Sequence, residues 1–363
     1  MAFQKIGFIG LGLIGGSIAL KCRENDPTVK IYATAHHLDT ISTAHEMGLI
    51  ENDHLLALSD FSDCDYIFLC APVQKNIEYL RSLKTIIKPS CIITDVGSTK
   101  SEIHKEVTSL GLESNFIGGH PMTGSEKTGI LSANSSILEN AYYIITPTAE
   151  STKEQVEEFK SFVSSLGSIP MILDYEAHDF ATGSISHLPH MIAFSLVNLV
   201  KKLDDENETM KTIAAGGFKD ITRIASSSPV MWQNICASNK ERLLSLMDSY
   251  IKELDALKNQ IACDDTDGLL KYFQAAKDYR DSFSLSNKRS LVYEIYLDLD
   301  DEAGAIATIA TILAKESISI KNIGLIHNRE FEEGVLHIEF YDADAMYLAE
   351  KLLLDKNYVI HKR

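Results

Sequence analysis

The sequence predicts an α/β protein that begins with a doubly wound parallel sheet, continues with an all-α region and ends in a small βαββαβ unit. Over residues 5–174, strand-like runs rich in Val, Ile and Phe alternate with helical stretches. Strands that are apolar on both faces are typical of parallel sheets covered by helices on each side. The runs are "KIGFIG", "VKIYATA", "DYIFLCAP", "SCIITDVGS", "NFIGGH", "AYYIITP" and "SIPMILD". No comparable run follows over residues 175–283, which indicates helices there.

The return of strand-like runs near the C-terminus predicts a third domain. The polar stretch "RDSFSLSNKRS" is typical of a linker. The segments after it are "LVYEIYLDLD", "GAIATIATILAKE", "ISIKNIGLIHN", "GVLHIEFY", "DAMYLAEKLLLDK" and "NYVIHKR". Their order, βαββαβ, is that of a ferredoxin-like unit. We therefore expect domains at residues 1–174, 175–285 and 290–363.

The helical region contains a continuous apolar seam. Its members recur at spacings of four and three residues, and they are Leu243, Met247, Tyr250, Leu254, Leu257 and Ile261. Such a seam packs either against the protein's own core or against a second copy of the chain. Because the segment lacks strands, we favour the second copy and expect a homodimer.

Composition narrows the classes of partner. The 363 residues have a formal net charge of −17, which argues against nucleic acid or an anionic membrane as a partner. Six cysteines occur without a C-x-x-C pair, as expected for free thiols in a reducing compartment. We find no secretion signal and no apolar window of about 18 residues, and we expect a cytoplasmic protein.

A glycine pattern near the N-terminus predicts a dinucleotide site. "GLGLIGGS" places Gly10, Gly12 and Gly15 in the G-x-G-x-x-G arrangement between a strand and a helix. In a Rossmann-type unit these glycines allow a tight turn and close approach of the pyrophosphate. The first helical residues, Leu13 and Ile14, then offer free backbone N–H groups to the phosphates.

The sequence indicates the choice between NAD and NADP less clearly. The acid that usually binds the ribose hydroxyls should close "VKIYATA", but Ala35, His36 and His37 stand there. A protonated histidine pair would bind a 2′-phosphate and so favour NADP. Histidines that only face solvent in a loop would not affect the choice of cofactor. We expect NAD, with NADP left open.

Two polar residues end later strand-like runs. Ser98 ends "TDVGS" and His120 ends "NFIGGH". Ligands of open α/β sheets bind outside the carboxyl ends of the strands, so both side chains should face the cleft. A histidine next to a nicotinamide can accept the proton of a substrate hydroxyl while hydride leaves the same carbon. The alternative is a structural loop histidine.

Further candidates lie in the helical region. "SHLPH" places His187 and His190 near Pro189, and we expect a polar ligand rather than a metal there, because no third ligand stands at helical spacing beyond Asp179. In "GGFKDITR", Arg223 suits bidentate capture of a carboxylate, with Asp220 one turn away to hold its fork. An ordinary surface pair is the alternative.

These motifs together resemble the prephenate dehydrogenase family over residues 5–285. The strings are "GLGLIGGS", "TDVGSTK", "GGHPMTGSEKTG", "SHLPH" and "GGFKDITRIASSSPVMW". The resemblance implies oxidative decarboxylation of prephenate to 4-hydroxyphenylpyruvate and carbon dioxide, on the route to tyrosine. Arogenate, the amine counterpart of prephenate, is the alternative substrate. A β-hydroxyacid dehydrogenase, which also joins a dinucleotide fold to helices, and a non-enzymatic sensor of dinucleotide and amino acid compete with this interpretation.

The resemblance also assigns roles to residues. His120 is similar to the family's catalytic histidine, and Ser98 to its partner in positioning the substrate hydroxyl. Arg223 corresponds to the arginine that binds a substrate carboxylate. The remaining positions that the resemblance places around the substrate are Ser186, His187, His190, Glu126 in a gating loop, and Trp232 in a domain that completes the neighbour's pocket. No metal is implied.

The C-terminal unit resembles an ACT domain, the amino-acid-sensing module of biosynthetic enzymes. "LDDEAGAIATIATIL" stands where that family has a D-x-P-G turn, with Ala303 in place of the proline. The resemblance places a regulatory ligand near Gly304 and Asn322, and we expect that ligand to be tyrosine. A passive dimerisation lobe is the alternative.

Overall fold

The computed structural model describes residues 5–124, 127–286, 293–299, 302, 304–326 and 334–361. Within the chain there are two compact units, residues 1–254 and residues 255–363. No helix in the described ranges is long and apolar enough to cross a membrane.

The first unit begins with alternating strands and helices. They are β1 Lys5–Ile9, α1 Leu13–Asn25, β2 Lys30–Thr34, α2 Leu38–Glu46, β3 Tyr66–Leu69, α3 Val73–Leu83, β4 Ile92–Asp95, α4 Ser101–Leu110, β5 Ile117–Pro121, β6 Tyr142–Pro147, α5 Lys153–Ser165 and β7 Ile169–Ile172. Strands β1 to β4 form a parallel sheet in the order β2-β1-β3-β4. Every residue of β3 and β4 is buried, as the continuous apolar runs predict.

Apolar clusters cover both faces of the four-stranded sheet. On one face, Phe8 and Phe68 stack with ring centroids 5.0 Å apart and join side chains of α1, α2 and α5. On the other face, Ile9 and Ile67 pack against α3 and α4. Helices on both faces are the signature of a doubly wound sheet, so this part of the prediction is confirmed.

One pair of the later strands departs from the predicted parallel arrangement. Strands β5, β6 and β7 form a separate sheet in which β5 and β6 are antiparallel and β6 and β7 are parallel. A parallel return needs a crossover, usually a helix. Between β5 and β6 the described chain makes only short 3₁₀ turns, Ile130–Ser132 and Ser135–Leu138, so the strands pair antiparallel.

Helices fill residues 175–286. They are α6 Tyr175–Thr182, α7 Leu188–Leu203, α8 Thr209–Ile213, α9 Gly216–Thr222, α10 Pro229–Ser238, α11 Lys240–Ala262 and α12 Thr266–Ser286. A π-helical turn at Gly183–His187 joins α6 to α7. Pro189 is the second residue of α7, directly after this π-helical turn, where a missing N–H is tolerated.

The predicted linker "RDSFSLSNKRS" is in part helical. Helix α12 continues to Ser286, so the stretch from Arg280 to that residue is not a loop. The (i, i+4) ion pair between Lys277 and Asp281, with N···O 2.6 Å, is of the kind that supports an exposed helix across this polar sequence. Residues 287–292, the rest of the stretch, lie outside the described ranges.

The C-terminal part has the predicted order of elements. They are β8 Tyr293–Leu299, α13 Ala305–Lys315, β9 Ile320–Ile326, β10 Gly334–Phe340, α14 Ala343–Leu354 and β11 Ile360–His361. The strands form an antiparallel sheet in the order β11-β8-β10-β9. Alternate residues such as Ile295, Leu297 and Ile338 pack with both helices, so one face of the sheet is buried and the other is polar.

Candidate active site

A cavity of about 800 Å³ lies in the first unit, where the carboxyl ends of β4 and β5 meet the helical region. Seven residues singled out from the sequence line it, although they come from four separate stretches of the chain. They are Ser98, His120, Ser186, His187, His190, Arg223 and Trp232. The structure thus brings together the described residues proposed for catalysis and substrate binding. Glu126, the remaining member of that set, lies outside the described ranges.

His120 is positioned by a pair of glycines in β5. A Cβ atom at Gly118 would lie 2.2 Å from Oγ1 of Thr146, and one at Gly119 would lie 2.8 Å from the carbonyl oxygen of Asp95. Both distances are too short for a side chain, so only glycine lets β5 lie between its neighbours. His120, next in sequence, is then 9% exposed at the cavity wall.

A chain of hydrogen bonds extends from His120 into the protein. Nδ1 of His120 lies 2.8 Å from Nε2 of His178, and Nδ1 of His178 lies 2.8 Å from Oδ1 of Asp179. The Asp179 carboxylate also accepts backbone N–H groups from Lys100 and Ser101, each at 2.7 Å. His178 and Asp179 are fully buried, so the chain is shielded from solvent.

A buried ion pair supports the loop that contains Ser98. Nζ of Lys100 contacts Oδ2 of Asp95, and both side chains are completely buried. The Asp95 carboxylate also accepts the backbone N–H of Gly97 at 2.9 Å and that of Gly119 at 3.4 Å. Asp95 therefore ties the Ser98 loop to the strand that holds His120.

Four residues behind the cavity were not predicted from the sequence as part of the site, and they are Asp95, Lys100, His178 and Asp179. No sequence motif assigns a role to His178, Asp95 or Lys100, and Asp179 stands out only as a potential metal ligand. The available signal was weak but present: "HD" in the helical stretch before "SHLPH", and an acid that ends the β4 run and precedes Ser98.

Burial keeps the histidines around the cavity neutral. It lowers the pKa of His120 well below its usual range, and the nearby His178 and Lys100 lower it further. Burial also lowers the pKa of His187 to about 4. For His178 burial lowers the pKa, against the opposing hydrogen bond to Asp179. A neutral imidazole at neutral pH can accept a proton, which is what a general base requires.

Buried histidines also predict how stability depends on pH. Burial lowers the pKa of His104 to about 3, and His187 behaves similarly, whereas the unfolded chain takes up these protons near pH 6.5. Unfolding therefore binds protons below that pH, so the free energy of unfolding falls as pH falls. We expect a loss of about 2 kcal/mol per histidine between pH 7 and about pH 5, measurable by calorimetry.

A matched pair of variants tests this account of the pH dependence. His104→Asn removes one buried histidine and should flatten the fall in unfolding free energy. His36→Asn removes an exposed histidine and should leave the slope as it is. Equal slopes for the two variants would show that buried neutral histidines are not the cause.

An aromatic wall closes one side of the cavity. The rings of His190 and Trp232 stack with centroids 3.9 Å apart, and Trp232 is 5% exposed. Nδ1 of His190 donates to the carbonyl oxygen of Ser186 at 2.8 Å, and Nδ1 of His187 lies 3.1 Å from the amide nitrogen of Asn239. Trp232, which the resemblance places around the substrate, lines the cavity of its own chain.

Two cations face the same cavity. Arg223 opens the 3₁₀ turn Arg223–Ser226 after α9, and Lys219 lies one helical turn earlier. Lys219 was missed, although its spacing of four residues from Arg223 is visible in the sequence. The predicted partner Asp220 forms no ion pair with Arg223 in the part of the chain that the structure describes. Asp220 also does not line the cavity. The prediction that it holds the guanidinium group of Arg223 is therefore wrong.

The glycine turn after β1 has the shape of a dinucleotide cradle. Gly10 has φ of +92°, a left-handed conformation that favours glycine, and a Cβ there would lie 2.9 Å from backbone of Cys70. A Cβ at Gly15 would lie 2.8 Å from the carbonyl oxygen of Gly10. These two glycines are thus needed by the fold itself.

Gly12 differs from its neighbours, because a Cβ there would meet no atom within 4 Å. Helix α1 begins directly after it, and Gly12 provides no side-chain cap. The N–H groups of Leu13 and Ile14, in the first turn, therefore have no partner within the helix and can bind an anion. These residues fit the pyrophosphate of a dinucleotide.

The open space at Gly12 gives a test of the cradle. Gly12→Ala should leave the melting temperature within about 1 °C, because the methyl group meets nothing in the protein. It should raise the KM for the dinucleotide at least about tenfold, because the methyl group occupies the path of the pyrophosphate. Steady-state kinetics with varied dinucleotide measure this.

A second glycine variant serves as the control. Gly10→Ala should lower the melting temperature, because it combines a strained φ with a clash against Cys70. An unchanged dinucleotide KM in Gly12→Ala would place the phosphates elsewhere.

At the end of β2, His36 and His37 are both exposed, with Nδ1 of the first 3.1 Å from Nε2 of the second. The position expected for a ribose-binding acid therefore has no carboxylate.

In the second unit, Gly304 precedes α13 with φ of +94° and Asn322 is exposed on β9. Among the described residues no group of three or more His, Cys, Asp and Glu side chains could hold a metal ion.

A dehydrogenase needs a dinucleotide site next to a group that takes the proton of the substrate. The first unit has both, so its fold and its cavity define a dinucleotide-dependent oxidoreductase.

Comparison with known proteins gives the family. Residues 18–169 match the model of the prephenate dehydrogenase nucleotide-binding domain, and residues 174–275 match that of the prephenate dehydrogenase dimerization domain. The chain belongs to the prephenate dehydrogenase family. The resemblance found in the motifs is thereby confirmed, and so is the prediction of an enzyme. Residues 276–363 lie outside both matches.

Individual relatives agree with this assignment. A prephenate dehydrogenase of Bacillus subtilis (strain 168) is 38% identical over 348 residues, 95% of this chain and 94% of the relative. A crystal structure of prephenate dehydrogenase from A. aeolicus, in complex with hydroxyphenyl propionate and NAD+, has 31% identity and a TM-score of 0.73, covering 78% of this chain and 99% of the other. Arogenate dehydrogenase of Synechocystis has 31% identity and a TM-score of 0.69, covering 77% and 99%.

Proposed function

We propose that the chain oxidises prephenate with NAD, releasing carbon dioxide and 4-hydroxyphenylpyruvate. The observation that carries the proposal is the cavity that joins a buried neutral histidine, a serine and two cations in a member of this family. The name of the Bacillus subtilis relative, aligned over nearly the whole chain, supports the same substrate.

His120 is the group that accepts the proton of the substrate hydroxyl. Its Nδ1 is engaged by His178, so Nε2 remains available to the cavity. Ser98 lines the cavity beside it and positions the hydroxyl. NAD, when bound, supplies the acceptor for the hydride. Loss of the ring carboxylate then gives an aromatic product, which makes the reaction strongly favourable.

Charge in the cavity favours prephenate over arogenate. Among the described lining residues the charged side chains are Lys219 and Arg223, and no carboxylate is present. Prephenate has two carboxylates, which two cations suit, whereas arogenate adds an ammonium group that they repel. The neutral His190 and Trp232 provide an aromatic wall for the ring.

NAD is the cofactor that the family relationship supports. The A. aeolicus structure contains NAD+, and the nucleotide-binding model matches this chain. NADP stays the alternative, because the exposed His36 and His37 stand where an acid would reject a 2′-phosphate. Rates with the two cofactors, compared at equal concentrations, distinguish them.

We also propose a homodimer built on the helical region, within domains at residues 1–174, 175–285 and 290–363. The matched dimerization domain supports it. Within the predicted seam, Leu243 is buried in its own chain, whereas Leu254 and Ile261 are 46% and 57% exposed. Large exposed apolar side chains on long helices are typical of a face that a second copy covers.

The C-terminal unit is proposed to bind tyrosine as a feedback inhibitor, coupled to the catalytic unit. The Bacillus subtilis alignment covers 95% of this chain and so extends into this unit. Gly304 leaves the start of α13 without a side-chain cap, which suits the carboxylate of an amino acid. A passive dimerisation lobe is the alternative.

Tyrosine titration of the full chain tests this regulation. We expect L-tyrosine, but not D-tyrosine, to inhibit prephenate oxidation. Asn322→Ala should raise the half-inhibitory concentration about tenfold, the value of one hydrogen bond to a charged ligand. Because Asn322 is exposed, this variant should fold normally. Absence of inhibition by tyrosine would leave the unit as a dimerisation lobe.

A further inference from the structure

The hydrogen bonds behind His120 determine which of its nitrogens holds a proton. Burial raises the pKa of Asp179, but hydrogen bonds from His178 and from the backbone N–H groups of Ser101 and Lys100 outweigh this, so the pKa is lowered and the group is a carboxylate. A carboxylate only accepts, so Nδ1 of His178 must donate to it. Nε2 of the neutral His178 is then an acceptor, and Nδ1 of His120 must donate to that atom. Nε2 of His120 is therefore unprotonated.

We propose that His178 and Asp179 are positioning residues that fix this tautomer of His120 and then receive its second proton. The proposal rests on the function proposed above, in which His120 accepts the substrate proton. As the O–H bond breaks, an N–H bond forms at Nε2 of His120. The proton on Nδ1 of His120 moves to Nε2 of His178. The electrons of the O–H bond form the new carbonyl as hydride leaves the carbon.

The final position of the charge explains why a second histidine is useful. A cation left on His120 would face Lys100 and His187, in a site where burial already disfavours it. After the second transfer the positive charge lies on His178, which is 2.8 Å from the Asp179 carboxylate. His120 is then neutral again, although with its proton on Nε2. The same carboxylate binds the first N–H groups of α4, so the dyad is held at a fixed distance from the Ser98 loop.

Two substitutions of His178 separate its positioning role from its proton-accepting role. His178→Gln retains an oxygen that can accept from Nδ1 of His120 but cannot take the proton. His178→Phe provides neither. We expect kcat to fall about tenfold in His178→Gln and about 100-fold in His178→Phe, with KM for both substrates within about threefold of the wild-type value. His104→Phe, which removes another buried histidine, is the matched control.

The outcomes of these variants are distinct. If His178→Phe keeps the kcat of the His104→Phe control, the relay is wrong. Partial recovery in His178→Gln supports it, because loss of packing alone would not depend on an acceptor oxygen. If His178→Phe shows no cooperative unfolding transition, the His178→Gln variant and the spectra described next decide the matter.

Nitrogen NMR of the full wild-type chain, labelled with ¹⁵N-histidine, tests the tautomer without any turnover. The signals of His120 and His178 are assigned by their loss in His120→Asn and His178→Gln. For both we expect a protonated, pyrrole-type Nδ1 and an unprotonated, pyridine-type Nε2. A proton on Nε2 of His120 would overturn the inference even if prephenate is oxidised. Failure to oxidise prephenate with the expected tautomer present would instead overturn the proposed function.

Discussion

Replacement of His120 by Asn is expected to lower kcat by roughly 10²–10⁴-fold while prephenate still binds. The substitution removes the imidazole Nε2 that accepts the hydroxyl proton. His120 is buried at the cavity wall, and an asparagine side chain in its place cannot accept the proton. Arg223 and Lys219 are untouched, so affinity for the carboxylates should persist. Steady-state kinetics with varied prephenate separate the effects on kcat and KM.

The control for His120 is another buried histidine outside the cavity. His104 is bonded to Oγ1 of Thr146 at 2.8 Å and does not line the cavity. His104→Asn should therefore keep kcat within about threefold, even if it lowers stability. Near-normal turnover in His120→Asn would remove His120 from the mechanism.

The second large effect is expected from Arg223→Ala. Loss of a charge-assisted hydrogen bond to a carboxylate costs about 1.5–3 kcal/mol, so KM for prephenate should rise about 10- to 100-fold with a smaller change in kcat. Arg223→Lys keeps the positive charge but loses the planar guanidinium group. Its KM for prephenate should lie between the values of the wild type and of Arg223→Ala. Kinetics at saturating dinucleotide measure this.

Arg242 provides the matched control for Arg223. It pairs with Glu176 at 3.7 Å, is partly exposed, and does not line the cavity. Arg242→Ala should leave KM unchanged, because a surface pair of this kind contributes little. An unchanged KM in Arg223→Ala would place the carboxylate of the substrate elsewhere.

The sequence was most informative where local chemistry alone determines structure. Continuous apolar runs such as Tyr66–Leu69 indicated buried parallel strands, because helices cover both faces of a parallel sheet. Gly10 and Gly15 indicated the turn after β1, because only glycine fits the φ of one and the close contact of the other.

Pairing direction was predicted less well, because it depends on connections rather than on strands. The chain between β5 and β6 lacks the crossover helix that a parallel return needs, and its apolar residues gave no sign of this. Similarly, α12 continues into a serine-rich stretch, where the exposed pair of Lys277 and Asp281 is of the kind that supports a helix.

Residues of the site were predictable when a motif surrounded them and missed when only the fold brought them together. His120 and Ser98 end strand-like runs, so the sequence indicated their position at the carboxyl ends of the strands. His178 reaches His120 across 58 positions of sequence, and Asp179 reaches Lys100 across 79. No periodicity encodes such contacts, which arise when α6 packs beside the β4–α4 loop.

The central claim is that the residues of this cavity catalyse the oxidation of prephenate, with NAD as the hydride acceptor. The direct measurement follows reduction of NAD by absorbance in the purified full chain, together with the amounts of 4-hydroxyphenylpyruvate and carbon dioxide. The account predicts prephenate-dependent NADH formation with one equivalent of each product, and a much lower rate with arogenate. Turnover of arogenate alone, or no NADH with either compound, would contradict it.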